Sequence, residues 1–404
     1  MKTATAGNTG PKVRSDCEIT IEATRSGGIR IDLKSKVKAL YGRSIINQCE
    51  RILAEAGIKN AALTISDSGA LPFVIAARLE YVINKVFDNR FEHLPLMLQG
   101  NIYSTDAKRL RFSRLYLPGN TPGMFINAGL HNADGIILDL EDSVAPSKKE
   151  EARILVRNAL RQIDFKGAER MVRINQGERG MQDLEYLIPH NVNVVLLPKC
   201  DDPDSVAAIE KKTEQLRKNH SVKSPVWFMP IIESALGVEN AFLIAKSSKN
   251  IVAMAIGLED LTADMGVQRT YEGNETLYAR TRIVNAAKAA GIQPIDSVFS
   301  DVSDMEALKN NVLSSKAMGF EGMGCIHPRQ VAVIRGGFIP NEAEIEKARK
   351  IYIAWKEAEE KGLGVVAVGS KMIDPPVVAR AERTIDLAVR FGILPADWIQ
   401  SPVE

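Results

Sequence analysis

The run GIILDLED at 135–142 passes from apolar residues into three acids, Asp139, Glu141 and Asp142, within four positions. Like charges so close together repel, so a cation or a basic group is expected opposite them. Ser147 followed by Glu150 reads as a capping box for the next helix, which leaves the three acids unexplained. Other apolar runs also close on groups that could do chemistry: Arg173 and Asn175, then Lys199, Glu233, Glu259 with Asp260, and His327. Glu233 and Asp260 together could hold one hard, oxygen-preferring cation, because Mg²⁺ takes one or two protein carboxylates and leaves its remaining positions to water and substrate. The alternative is that each acid caps the helix after it.

Arg173 is costly to bury without anions beside it. It could stabilise an enolate oxygen as charge develops or clamp a substrate carboxylate. A salt bridge to Asp139 or Glu141 is the structural reading, and the two are compatible. His327, in CIHP, has no nucleophile or acid at triad spacing and is expected to be a structural hydrogen-bonder. YLPGNTPG at 116–123 matches neither common phosphate-cradling glycine pattern, although its turn could approach a ligand.

These groups need a frame that brings them together. Strand-like segments at 113–119, 135–142, 170–175, 192–199, 225–234, 251–260, 293–299 and 322–328 are each separated by enough chain for a helix. Val194-Val195-Leu196-Leu197 is apolar on consecutive residues, as a strand covered on both faces requires. The repeat predicts an α/β fold, a (β/α)8 TIM barrel, with a doubly wound open sheet as the lesser alternative. In such a barrel the carboxyl ends of the strands carry the active site.

Before the barrel, residues 1–90 read as a small α+β domain. Its strands are CEITIEAT (17–24), GIRIDLKS (28–35) and NAALTIS (60–66), and its helices lie at 37–57 and 71–87. Arg25-Ser26-Gly27 is a hairpin signal between the first two strands, and Gly57 a helix C-cap. Residues 91–112 are expected to be a linker, 113–340 the barrel, and 341–404 a C-terminal helical extension or lid.

The chain has 404 residues and a formal net charge of +2, with basic residues spread out, so nucleic acid and anionic membrane are not expected partners. Its four cysteines form no C-x-x-C pair, and no apolar run approaches the length of a membrane span. A cytoplasmic protein acting on small molecules is expected.

YLPGNTP, GIILDLEDSVAPSKKEEAR, VRIN, LLPK, IIESALG, GLEDLTADMG and GCIHPRQV, in that order over roughly 110–390, resemble the citrate lyase β-subunit family of the HpcH/HpaI aldolase superfamily. Residues 13–87, through IRIDLKSKVKALYG and LTISDSGALPFVIAARLE, resemble the citrate lyase acyl carrier protein, the γ-subunit. The resemblance implies a Mg²⁺-dependent lyase that cleaves a 3-hydroxyacyl thioester of citryl, citramalyl or malyl type to an acetyl thioester and a 2-oxo acid. It implies Glu233 and Asp260 as metal ligands, with Glu233 also near substrate, and Arg173 as the substrate-binding, enolate-stabilising residue. Pro118 and Gly119 would contact substrate. GSKMID resembles the lid motif of malyl- and citramalyl-CoA lyases, whose aspartate, here Asp374, reaches a neighbouring subunit's site; this implies a homo-oligomer, a trimer or hexamer. Glu141, counted with the catalytic set, and Asp142 are expected to hold metal-bound waters or to orient Arg173, while Asp139 completes the balance of charge against cation and guanidinium.

One stretch departs from the family. Carrier subunits of this type show Gly-Thr-Leu-Glu-Ser-Ser-Asp, whose first serine bears a phosphoribosyl-dephospho-CoA arm; here GPKVRSD places Arg14 at that position and Ser15 after it. Either Ser15 takes the arm with a one-residue shift, or the barrel acts on a free CoA thioester and the domain serves assembly, for instance with an acyl- or CoA-transferase subunit. The second is favoured, because Arg14 replaces a hydroxyl with a bulky cation. A thioesterase and a non-catalytic carrier or scaffold subunit are the competing functions.

Overall fold

The computed structural model describes residues 2–88, 90–369 and 371–400. The N-terminal unit comprises β1 (Thr3–Ala6), β2 (Cys17–Ala23), β3 (Ile29–Ser35), α1 (Lys38–Glu55), β4 (Ala61–Asp67) and α2 (Pro72–Phe87). Its sheet order is β1-β2-β4-β3, which corrects the expected hairpin. The strands joined by Arg25-Ser26-Gly27 are not neighbours, because β4 lies between them, antiparallel to β2 and parallel to β3. The reason is burial: β4 buries Ala61, Leu63 and Ile65, as a central strand must, whereas β3 exposes Arg30, Asp32 and Lys34 and suits an edge. Gly27 and Gly28 have φ of +99° and +72°, a left-handed pair that lets the chain step over the intervening strand. Gly57 takes φ +73° after α1, the expected C-terminal stop.

The alternation that follows runs β5 (Ser113–Pro118), β6 (Gly135–Asp139), α3 (Lys149–Gln162), β7 (Glu169–Arg173), α4 (Gly177–Leu187), β8 (Val194–Leu197) and α5 (Pro203–Asn219). It continues with β9 (Trp227–Ile232), α6 (Ala235–Lys246), β10 (Ala253–Ile256), α7 (Leu258–Asp264), α8 (Leu277–Ala290), β11 (Gln293–Ile295), α9 (Met305–Met318), β12 (Met323–Cys325) and α10 (Pro328–Phe338). The strands are parallel in the order β11-β10-β9-β8-β7-β6-β5-β12. Asp296 N–H donates to Gly322 O at 2.8 Å and Gly324 N–H to Asp296 O at 3.3 Å, which closes the ring into a TIM-type barrel. Ile137, Met171, Val194, Leu196 and Met229 fill its interior, and a larger core joins the strands to the surrounding helices.

Residues 91–112 form a largely irregular strap held by polar contacts to the amino ends of the strands. Arg111 Nε reaches Glu169 Oε2 at 2.7 Å with both side chains buried, Thr105 Oγ1 donates to Glu169 Oε1 at 2.6 Å, and Trp227 Nε1 donates to Thr105 O at 2.8 Å. Polar residues at that end are thus structural. The Ser147–Glu150 capping box does not form: α3 starts at Lys149 with no side-chain cap, after a 3-10 turn over Pro146–Lys148 that carries the chain into the helix, and Glu150 pairs with Lys85 instead.

After the barrel, α11 (Glu342–Glu360) and α12 (Pro375–Arg390) flank a hairpin of β13 (Val366–Val368) and β14 (Lys371–Ile373), with a small core that includes Ile351, Ile373, Ile385 and Trp398. Ser370 of the GSKMID run lies outside the described residues. Among the described residues no helix is long and apolar enough to cross a membrane, and all four cysteines are buried and unpaired.

The N-terminal unit is docked on the barrel. Helix α2 turns Ile75, Leu79 and Ile83 to its own sheet and Phe73, Val74 and Ala77 to the barrel core. At the junction Arg78, fully buried, binds both oxygens of Asp16 at 3.2 and 3.0 Å, lies 3.6 Å from Glu151, and donates to Asn120 O at 3.2 Å. Replacing Arg78 with Met would leave the buried Asp16 carboxylate without a cation, while Glu151 keeps Lys148, so urea denaturation of R78M is expected to show a loss of about 3–5 kcal/mol.

His190 gives the fold an acid sensitivity. It is buried, and its Nδ1 accepts from Arg161 Nη1 at 3.1 Å, which keeps that nitrogen unprotonated. Burial first, then Arg157 and Arg161, push its pKa down to about 3 from 6.5. Below pH 6.5 the unfolded chain therefore binds a proton that the folded chain refuses, and stability falls as pH drops from about 6.5 toward 3, by at most about 1.4 kcal/mol per pH unit. Urea midpoints of H190Q measured between pH 7 and 4 are expected to fall less steeply than those of the wild type.

Candidate active site

Pro118, Asp139 and Arg173 stand in register at the carboxyl ends of β5, β6 and β7. Arg173 answers the crowded acids. Its Nε and Nη2 donate to Asp139 Oδ1 and Oδ2 at 2.7 and 2.8 Å, and its Nη1 lies 3.0 Å from Glu141 Oε2 and 3.7 Å from Asp142 Oδ2. Its guanidinium also lies over the Tyr116 ring, 5.5 Å from the centroid. Burial opposes ionisation of Asp139, but the Arg173 hydrogen bonds and charge, with the N–H groups of Ser143 and Glu141, outweigh it and hold the carboxyl below its usual range. Burial likewise disfavours the Arg173 cation, and Asp139, Tyr116 and Glu141 more than offset it. A guanidinium has five N–H donors; Asp139 takes two, Nη1 is directed to Glu141 and Asp142, and a second Nη2 hydrogen is left for a ligand.

Glu141 is buried, and burial raises its carboxyl pKa; Gln176 Nε2 donates to its Oε1 at 2.9 Å. Arg173, Pro118, Glu233 and Asp260 line one cavity of about 300 Å³ at the barrel mouth. Glu141 and Asp142 touch Arg173 from behind rather than lining that cavity. Gly119 stands behind the wall as well: its N–H donates to Asp139 O at 2.7 Å, and a Cβ there would come within 2.5 Å of the same oxygen.

Glu233 follows β9 and is buried. It accepts the Lys199 backbone N–H at 3.0 Å, and no salt bridge satisfies it among the described residues. Gly257 makes room for it, since a Cβ at 257 would sit 2.3 Å from Glu233 Oε1. Burial pushes the Glu233 carboxyl up to about 7, with Asp260 and Glu141 adding to the rise. Asp260 stands in the first turn of α7 rather than on a strand, as the sequence pattern had placed it, because the chain turns helical directly after Gly257. Lys199, at φ +46°, places its Nζ 3.2 Å from Asp260 Oδ1 and 3.9 Å from Glu141 Oε1. Burial alone would lower the Lys199 pKa, but the Asp260 hydrogen bond and the surrounding acids outweigh it and raise it, so that the ammonium stays charged. A buried carboxylate without a cation, next to a second one paired with the Lys199 ammonium, fits a divalent ion. Among the described residues no group of three or more His, Cys, Asp or Glu side chains could hold a metal, so such an ion would rest on this pair and on oxygens from substrate and water.

Of the remaining expected residues, His327 caps α10 through its Nδ1 and makes a capping box with Gln330, the structural role expected. Asp374 caps α12, accepting from Val377 N–H at 3.2 Å, and does not line the cavity of its own chain. Ser15 is half-buried at φ +56°, its N–H donating to Ser68 O at 3.0 Å, and its Cβ packs toward Gly123 of the loop after β5. The sequence reading missed Arg114 and Tyr116, which also line the cavity. Both lie within a strand rather than at its end, and only the inward alternation of β5 marks them.

Residues 113–328 match the HpcH/HpaI aldolase/citrate lyase family, and residues 1–86 match the malonate decarboxylase delta subunit (MdcD) family of acyl carrier proteins. The citrate lyase subunit beta of Leuconostoc mesenteroides subsp. cremoris is 37% identical over 70% of this chain and 94% of its own. The mitochondrial citramalyl-CoA lyase of Homo sapiens is 33% identical over 68% of this chain and 84% of its own. Among solved structures, CitE from Mycobacterium tuberculosis in complex with magnesium, acetoacetate and coenzyme A superposes with a TM-score of 0.58 at 30% identity, covering 69% of this chain and 98% of that one. With its family motifs carried on a closed barrel whose strand ends converge on one cavity, this chain belongs to the HpcH/HpaI aldolase/citrate lyase family.

Proposed function

We propose that this chain is a Mg²⁺-dependent carbon–carbon lyase that cleaves a 3-hydroxyacyl thioester of citryl, citramalyl or malyl type into an acetyl thioester and a 2-oxo acid. The observation that carries this reading is the meeting of Arg173, Glu233 and Asp260 in one cavity, with an Nη2 hydrogen of Arg173 uncommitted. Glu233 and Asp260 would hold the ion, which when bound supplies Lewis-acid polarisation of the substrate's oxygen. Arg173 binds the thioester oxygen, where negative charge grows as the C–C bond breaks, and Asp139 holds the guanidinium flat for it. Glu141 and Asp142 act as positioning residues on Arg173. Lys199 balances Asp260 and Glu141 and withdraws from Asp260 as the ion and substrate enter.

Asp374 supplies the proton-transfer group from a neighbouring copy, which makes the working enzyme a homo-oligomer. Its position on the C-terminal unit, away from its own chain's cavity, supports that role. The acyl substrate is a free CoA thioester rather than one carried on Ser15, because Arg78 ties the carrier-like domain to Glu151 and the Asn120 carbonyl of the barrel and because Arg14 stands where the family has its modified serine.

Incubation with Mg²⁺ and a panel of acyl-CoA thioesters, followed by mass spectrometry, is expected to show an acetyl thioester and a 2-oxo acid; hydrolysis with the carbon skeleton intact would instead indicate a thioesterase. E233A and R173A are each expected to lower kcat/KM by about 10²–10³-fold or more, and EDTA to abolish activity until Mg²⁺ is restored. The same preparation should have the intact mass of the unmodified polypeptide. Co-expressed D374A and E233A chains, each inactive alone, are expected to recover part of the activity, since mixed oligomers contain sites built from one intact half of each; no recovery would refute the shared site.

A further inference from the structure

Arg114 is fully buried inside the barrel, yet among the described residues no carboxylate forms a salt bridge with it. Its Nη1 reaches only the Met229 thioether, at 3.0 Å, and its Nε has no hydrogen-bond partner. The other large, fully buried arginines are better served. Arg78 has Asp16, Arg111 has Glu169 and Arg157 has Glu80, while Arg170 donates to the Asn191 and Tyr103 carbonyls at 2.7 Å each. Asp296, an acid whose charge is felt at Arg114, is already committed to Arg280 and Ser315. An unpaired guanidinium in an apolar interior is costly to the fold, so its retention asks for a ligand.

The cavity that holds Glu233 and Arg173 reaches this group. Arg114 lies four residues before Pro118 on β5 and faces the same way, so its α-carbon is about 13 Å further into the barrel, part of which its own side chain spans. Between them the walls are small or apolar, with Ala255, Ile231 and Gly324; a Cβ at 324 would stand 2.6 Å from Val298 Cγ1. The remaining space suits a short, unbranched acid with a charge at each end. A planar two-pronged cation at its floor selects a carboxylate.

We propose that Arg114 is a specificity-determining residue that binds the distal carboxylate of the 2-oxo acid, so that the enzyme prefers a four-carbon 2-oxo dicarboxylate to a 2-oxo monocarboxylate. This rests on the lyase reading above, which puts the oxo acid in this cavity. The test is isothermal titration of the full-length protein, wild type and R114M, with oxaloacetate and with pyruvate, each in the presence of Mg²⁺. In R114M the Kd for oxaloacetate is expected to rise at least ~30-fold while that for pyruvate changes less than ~3-fold. Without ligand, R114M is expected to melt no lower than wild type, because methionine fills the site without a buried charge.

Unchanged oxaloacetate binding, or an equal loss for both acids, would overturn the proposal, as would a lower melting temperature, which would make Arg114 part of the packing. Binding requires no turnover. If every thioester in the activity panel stays uncleaved, the lyase reading fails by itself, while the titration still decides whether Arg114 separates the two acids.

Discussion

A single guanidinium organises the mouth of this barrel. Arg173 is held on two sides by Asp139, faces Glu141 and Asp142 behind, and rests on the Tyr116 ring. Held this way, it cannot rotate to follow a substrate, and charge developing in the cavity meets a donor already in place. Asp139 and the acids just after β6 also keep the site from becoming strongly cationic in the absence of substrate. Glu233, by contrast, has almost nothing to compensate it, and this imbalance between two neighbouring carboxylate sets makes one structural and the other receptive to a cation.

Much of this was legible in the sequence because barrels place their chemistry at strand ends, where a charged residue interrupts an apolar run. Asp139, Arg173 and Glu233 stand out by that rule, and the eight strands emerge from the same runs. What the sequence hid follows from physics that the pattern does not encode. Arg114 sits within a strand, where alternation alone gives it no more weight than any inward residue. The significance of Lys199 depends on a left-handed backbone that turns its N–H to Glu233 and its ammonium to Asp260. The β2–β3 turn looked like a hairpin because local turn chemistry cannot reveal a strand inserted from forty residues later in the chain. Ser147 and Glu150 have the spacing of a cap, but Pro146 draws the chain into a 3-10 turn before the helix begins.

The two matched families meet at an interface with the character of a protein interior. Helix α2 contributes to both cores, and Arg78 bridges an acid from each unit while bonding to the loop beyond β5. Further along, Arg157 of α3 is bound by Glu80 of α2 at 2.6 and 2.9 Å. The strap over 91–112 fixes the chain at the opposite end of the barrel. The buried Arg157–Glu80 pair is neutralised only across the junction, and Arg78, paired with Asp16 in its own unit, also reaches Glu151 and the Asn120 carbonyl of the other, so neither unit presents a finished surface alone.

That welded junction changes the kinetics open to the molecule. A carrier on a loose tether delivers its cargo at a rate set by tether length and by how often it collides with the active site. Here the carrier-like fold is docked on the barrel, and with the free thioester proposed above as substrate, occupancy of the site would track its concentration in bulk solution. On that reading the fused domain would serve as a fixed brace on the loop beyond β5, contributing architecture rather than transport.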